Sequence, residues 1–442
     1  MQIRHRTDGH RALDRRIAAI ALPALATLAA DPLYDLCDTA ILGHLGTHQL
    51  AGAALASRIL ALGYAIFIFL LFGTTASVAR LIGAGRRRDA ASEAVGAMWL
   101  GAALGIGAVI VVGFAGRTLI SVLGGSGAVA GYAWTYLWVS LAGFPAFMLV
   151  MAGTGYLRGN GNTRLPLAVA LTTVGGNLVI EIVLVYGFGF GVGASALGTV
   201  IAKWAGAIIY LVLVARSANR LGAARRPNIA AIRRLARVGR DLIVRTIALH
   251  LAVVGATGLA ARQGATELAA YSIAFEIWMF GAYVSDGLEI AGHALVGGAL
   301  GRNDADEARH IARRILTWSV RVGIGVGVII LVTHTLLPRA FTSDATLRAA
   351  AASALIGVAC LQPINAVAFA LDGILVGASD QHFLARAMLL ALAAFVVAAL
   401  VADATITGLG GVLLAATACM AVRSAAGLAR YRSDRWIKLG AT

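Results

Sequence analysis

Charge is scarce in this sequence: of 442 residues only 13% are Asp, Glu, Lys or Arg, while 59% are hydrophobic. So little polar surface excludes a soluble globule, in which charged residues make up about a quarter of the chain. Cysteine is nearly absent. Cys37, Cys360 and Cys419 fit neither a disulfide framework nor a zinc site and read as small core residues. The nine histidines form no His-Glu-x-x-His run, and there is no Gly-x-x-x-x-Gly-Lys-Ser/Thr loop. A zinc-protease helix and a P-loop for ATP are thereby excluded. No catalytic motif remains, so an enzyme is not expected, nor is a metal or cofactor. A cleavable signal peptide is not expected either, because the first apolar run is a full span behind a basic start.

The hydrophobic residues are gathered into runs near the ~20 residues that cross a bilayer as a helix. They predict about twelve spans and an all-α polytopic membrane protein whose surroundings are the lipid bilayer. The net charge of +16 would suggest nucleic acid in a soluble protein, but its distribution indicates topology. Arg11, Arg15 and Arg16 precede the first span, Arg86, Arg87 and Arg88 follow the second, and eight arginines lie between Arg216 and Arg240. Arg430, Arg432, Arg435 and Lys438 crowd the C-terminus, whereas the alternate loops offer only Arg117, Arg262, Arg339 and Arg348. The positive-inside rule then puts both termini and the central linker in the cytoplasm, for a multi-pass protein of a plasma or inner membrane. Nucleic-acid binding is not expected.

The two halves resemble each other. Gly46-Thr-His-Gln-Leu-Ala51 matches Gly264-Ala-Thr-Glu-Leu-Ala269, and Gly155-Tyr-Leu-Arg-Gly159 matches Gly373-Ile-Leu-Val-Gly377. Leu81-Ile-Gly83 through Glu93-Ala94 pairs with Leu295-Val-Gly297 through Glu307-Ala308, and Gly191-Val-Gly193 with Gly408-Leu-Gly410. The order is kept and the offset is nearly constant. These matches predict two six-helix lobes in the same orientation, residues 1–215 and 241–430, joined by a cytoplasmic Arg-rich linker at 216–240 and followed by a tail at 431–442. Transporters use such repeats with a site near mid-membrane.

A carboxylate near the middle of a spanning helix costs about 2.5 to 3.5 kcal/mol on insertion scales and marks an ion or substrate path. The first span carries Asp31, Asp35 and Asp38, within roughly 60° of arc on a 3.6-residue helix. That stripe must face protein or water. Pro32, beside Asp31, removes a backbone donor and predicts a kink.

The run Pro32 to Gly46, with Asp38-Thr-Ala-Ile-Leu-Gly-His-Leu-Gly46, resembles the first helix of multidrug and toxic compound extrusion (MATE) transporters, and the resemblance extends through both halves. Arg240-Asp-Leu-Ile-Val-Arg245, Ser285-Asp286-Gly287-Leu288 and Leu371-Asp372-Gly-Ile-Leu-Val-Gly377 are similar to the DinF-type branch. The resemblance implies a V-shaped bundle of two lobes that exports organic, cationic or amphiphilic, small molecules in exchange for a cation. It also implies a proton-coupling cluster at Asp38, Asn177, Glu181 and Thr199, with Glu181 where the family pattern has Asp. The further carboxylates of the NorM-like branch fall at Leu249 and Asn365, so that second cation site is not expected.

The residues agree with this independently. Asn177 and Glu181 are four apart and share a helix face, which predicts that the amide donates to the carboxylate. Carboxylates sharing a poorly hydrated cavity meet desolvation and mutual repulsion, which favour the protonated form as proton coupling near neutrality requires, and such a pair titrates as a unit. Tyr34, Pro32, Asp31 and Asp35 are expected accessories, with Tyr34, Met148, Met151 and Trp204 suited to an adaptable pocket. Arg245, Asp286 and Asp372 predict a polar network in the second lobe. The carboxylate, Asn and Thr oxygens also suit Na+, so H+ is the expected coupling ion and Na+ the alternative. A lipid-linked-precursor flippase is disfavoured because intramembrane arginines are few while acids cluster. A monomer is expected.

Overall fold

The computed structural model describes residues 2–406 and 408–441, and every regular element among them is helical. In chain order these are α1 (Gln2–Leu45), α2 (Thr47–Phe67), α3 (Phe69–Gly83), α4 (Arg87–Val122), α5 (Gly127–Leu141), α6 (Phe144–Gly159) and α7 (Arg164–Ile182). After a π-helical turn at Val183–Gly187 come α8 (Val192–Arg220), α9 (Ile229–Arg262), α10 (Ala265–Gly301), α11 (Ala305–Thr333), α12 (Ala345–Gly377), α13 (Gln381–Thr405) and α14 (Leu409–Arg432). Eleven of the described helical stretches are long and apolar enough to cross a membrane. The α5–α6 pair, bent by 48°, makes a twelfth when counted as one span. Helices dominate because hydrocarbon offers no partner to a backbone N–H or C=O, and a helix satisfies both within itself. Phe114, Val332 and Phe280 are among many large apolar side chains left exposed, as a lipid-facing surface requires. Cys419 is buried as expected, but Cys37 and Cys360 are exposed rather than core residues.

The chain forms two compact units, Leu22–Gly239 and Met1–Ala21 together with Arg240–Thr442. These boundaries differ from the expected lobes at both lobe entrances, for the same reason. Each half begins with an amphipathic extension that buries its apolar stripe in the unit formed mainly by the other half. In α1, Leu13 and Ile17 are buried, Asp14 accepts from Arg314 Nε and Nη2 at 2.5 Å each and from Trp318 Nε1 at 2.8 Å, and Arg16 pairs with Glu307 at 3.4 Å. In α9, Ala231 and Leu235 are buried, and Arg234 pairs with Glu93 at 2.6 Å. Arg16 and Arg234 occupy matching places in the repeat, as do Glu307 and Glu93. The linker therefore packs with the first unit. The tail packs with the second: Trp436 is buried, and Lys438 and Arg430 both bond Asp380.

Glycines carry the repeat into packing. A Cβ on Gly155 would sit 2.8 Å from Leu71 O, and one on Gly159 2.8 Å from Thr75 O, so α6 lies directly on the backbone of α3. The matching residues put α12 on α10: Cβ atoms on Gly373 and Gly377 would sit 2.5 Å from Glu289 O and 2.9 Å from Gly292 O. Likewise Gly105 meets Pro145 and Gly323 meets Pro363. Such close approaches supply the van der Waals contact that holds helices together where lipid competes for apolar surface. Gly373→Leu forces α12 off α10. It is expected to cost at least the ~1 to 3 kcal/mol of overpacking, seen as a lowered unfolding temperature in detergent. Unfolding at the wild-type temperature counts against this packing.

Candidate functional site

The first unit brings together three helices, each contributing polar residues four apart and hence on one face: Tyr34 and Asp38 from α1, Asn177 and Glu181 from α7, Ser195 and Thr199 from α8. Asp38, Asn177, Glu181 and Ser195 are all buried, Glu181 and Ser195 completely. Ser195 Oγ donates to Asp38 Oδ1 at 2.7 Å. The Tyr34 hydroxyl is the hub, 3.3 Å from Asp38 Oδ1, 3.5 Å from Glu181 Oε2 and 2.9 Å from Thr199 Oγ1. It has a single proton, so it donates to one of these acceptors at a time. Glu181 Oε1 and Asn177 Oδ1 are buried with no hydrogen-bond partner among the described residues. Two carboxylates thus share one hydroxyl, and two buried acceptors stand without a donor among the described residues.

Local structure explains how the pairs reach one another. The π-helical turn at Val183–Gly187 directly follows α7, and such turns interrupt α-helical regularity at functional positions. Gly198 leaves room on α8: a Cβ there would lie 3.0 Å from Asn177 Oδ1. With α8 so close, Asn177 Nδ2 donates to Thr199 Oγ1 at 3.2 Å. The expected bond from Asn177 to Glu181 is replaced by this one.

The aspartate stripe of α1 is divided. Asp38 is 8% exposed and turned into the cluster, whereas Asp35 is exposed. The side chain of Asp31 lies outside the described residues. α1 continues through Pro32 without a break. Of the expected pocket residues, Met148 is buried and Trp204 is exposed, its indole bonded to Ala142 O at 2.9 Å. Sequence reasoning missed Ser195. The signal was there, a hydroxyl four residues before Thr199 on the same helix.

In the second unit Asp372 accepts from Arg245 and, at 2.6 Å, from Arg423, whose guanidinium also lies over the Phe369 ring. Asp286 is half-buried on α10, and further along the helix His293 Nε2 lies 3.5 Å from Glu289 Oε1. Arg423 had no part in the expected network. It stands in the last span, far along the chain from Asp372, where spacing gives no hint of contact.

The profile of the family described as MatE matches residues 23–186 and 249–402, most of both halves. The chain belongs to the MatE family. Its fold and family are therefore those of transporters and not of enzymes. Among curated relatives, Protein DETOXIFICATION 43 of Arabidopsis thaliana is 28% identical, covering 94% of this chain and 90% of its own length. DNA damage-inducible protein F of Escherichia coli is 30% identical over 86% of this chain and 84% of its own, in keeping with the DinF-type resemblance. Among solved structures, the Vibrio cholerae MATE transporter VcmN in the bent form superposes with a TM-score of 0.88 at 20% identity, covering 96% of this chain and 97% of that one. Within this MatE protein, Ser195→Ala removes the shortest hydrogen bond to Asp38. A loss of about 1 to 3 kcal/mol is expected in detergent unfolding, with Ser195→Thr retaining most of the stability; equal stability of the alanine variant would show the bond to be without consequence.

Proposed function

We propose that this chain is a secondary transporter that exports organic amphiphiles in exchange for protons, with Asp38 and Glu181 as the carriers. The observation that supports it is the pair of buried carboxylates around Tyr34, one oxygen of which has no donor among the described residues. A proton on either carboxyl supplies the missing donor; its departure leaves two acceptors competing for the hydroxyls of Tyr34 and Ser195. Protonation thus rewrites the bonding between α1, α7 and α8, and α1 contains Pro32, where a helix bends at low cost. Protons entering from the outside favour release of substrate there, and deprotonation toward the cytoplasm resets the cluster. Arginine placement supports an orientation with both termini cytoplasmic in a plasma or inner membrane. Each charge crossing the membrane adds about 2.3 kcal/mol per 100 mV.

The test uses everted vesicles, in which exported compounds accumulate, with ΔpH or ΔpNa imposed separately. Uptake is expected with an acid interior and no sodium gradient, and to be abolished in Asp38→Asn, which removes a carboxylate that an intramembrane path requires. Uptake driven by sodium alone would overturn proton coupling, and unimpaired uptake by Asp38→Asn would remove that residue from the mechanism.

A further inference from the structure

The stripe of α8 that carries Ser195 and Thr199 continues four residues further to Lys203, about 6 Å along the axis from Thr199. Lys203 stands near the midpoint of the 29-residue α8, too far from either end for its side chain to snorkel to the interface. It is half-buried. Its Nζ donates to Tyr64 Oη at 2.9 Å and lies 4.4 Å from the centre of the Tyr64 ring and 5.1 Å from that of Phe147. Tyr64 and Phe147 are themselves in contact, with centroids 3.9 Å apart, and Phe144 backs Tyr64 at 5.1 Å.

What distinguishes this ammonium is its surroundings. Arg245 and Arg423 in the other unit share Asp372, but no carboxylate lies within ion-pair distance of Lys203 among the described residues. Ring faces and one phenol oxygen attract a cation without neutralising it. An ammonium has three N–H donors, and the described residues supply one hydrogen-bond acceptor. A cation in a span without a counter-ion is costly and marks a ligand path. Here it stands on the same helix face as the carboxylate cluster, beside an aromatic wall.

We propose that Lys203 is a substrate-recognition residue that binds the anionic group, in the simplest case a carboxylate, of an aromatic substrate whose ring packs on Tyr64 and Phe147. The bound carboxylate supplies the ion-pair partner that Lys203 lacks among the described residues. This deepens the exporter reading and rests on it for the word substrate. It assigns a charge preference that differs from the cationic one implied by the family resemblance.

The experiment measures equilibrium binding to the full-length protein in detergent with two fluorescent probes that share a ring system, dansylglycine, which bears a carboxylate, and dansylcadaverine, which bears an ammonium. Wild type is expected to bind dansylglycine the more tightly. Lys203→Met is expected to weaken dansylglycine about ten-fold, equivalent to about 1.4 kcal/mol, without weakening dansylcadaverine, while Lys203→Arg keeps the preference. The proposal is overturned if dansylglycine binds wild type no better than it binds Lys203→Met, including the case in which it binds neither. It is also overturned if Lys203→Met changes only dansylcadaverine, which would make Lys203 a tethered cation occupying a cation site. Should Lys203→Met not fold, Lys203→Gln serves with the same criteria. Because binding is read at equilibrium, the result does not depend on proton exchange and fails separately from it.

Discussion

The sharing of one phenolic proton among buried acceptors is the constraint from which the rest of this molecule follows. Tyr34 reaches Asp38, Glu181 and Thr199, and it can satisfy only one of them at a time. In water the others would simply hydrate. In a span they cannot, and an acceptor left bare in a low-dielectric interior costs far more than one exposed to solvent. In the proposed mechanism the cluster has two bonding patterns, selected by whether a proton is present, and the three helices that carry it adjust to whichever pattern holds. A network of this kind is sensitive to small movements because the helices around it are close-packed.

That close packing comes from glycine. Gly198 admits Asn177 to the face of α8, just as Gly155, Gly159, Gly373 and Gly377 admit backbone to backbone elsewhere. A membrane protein cannot rely on water to drive its helices together, so it relies on short approach and on polar contacts that hydrocarbon cannot offer. The two units solve this problem with the same residues in the same repeat positions. They differ in their polar cores. The first unit holds two carboxylates around a hydroxyl with no basic partner among the described residues, while the second neutralises Asp372 with two guanidinium groups and also buries Glu289. A carboxylate held by two cations is a fixed structural charge; a carboxylate held by hydroxyls is free to exchange a proton.

Lys203 bears on the same point from the other side. The face of α8 that meets the carboxylates of α1 and α7 at Ser195 and Thr199 continues to Lys203, an ammonium with no counter-ion among the described residues.

The sequence alone determined the membrane class, the helical architecture, the repeat and the family, because all of these rest on run lengths, on local periodicity and on motif strings whose neighbours are neighbours in the chain. It also indicated Asp38, Asn177, Glu181 and Thr199 through the family resemblance, and Tyr34 as an accessory that lines an adaptable pocket. Only the tertiary structure decided which acceptor each donor meets. Asn177 donates to Thr199 of α8, which Gly198 lets approach its amide. Ser195, Arg423 and Lys203 gain their significance from helices distant in sequence, and the exchanged ends of α1 and α9 from packing against the opposite unit. Periodicity tells which face of a helix is polar; it carries no information about which other helix that face will meet, since that depends on the fit of many side chains at once.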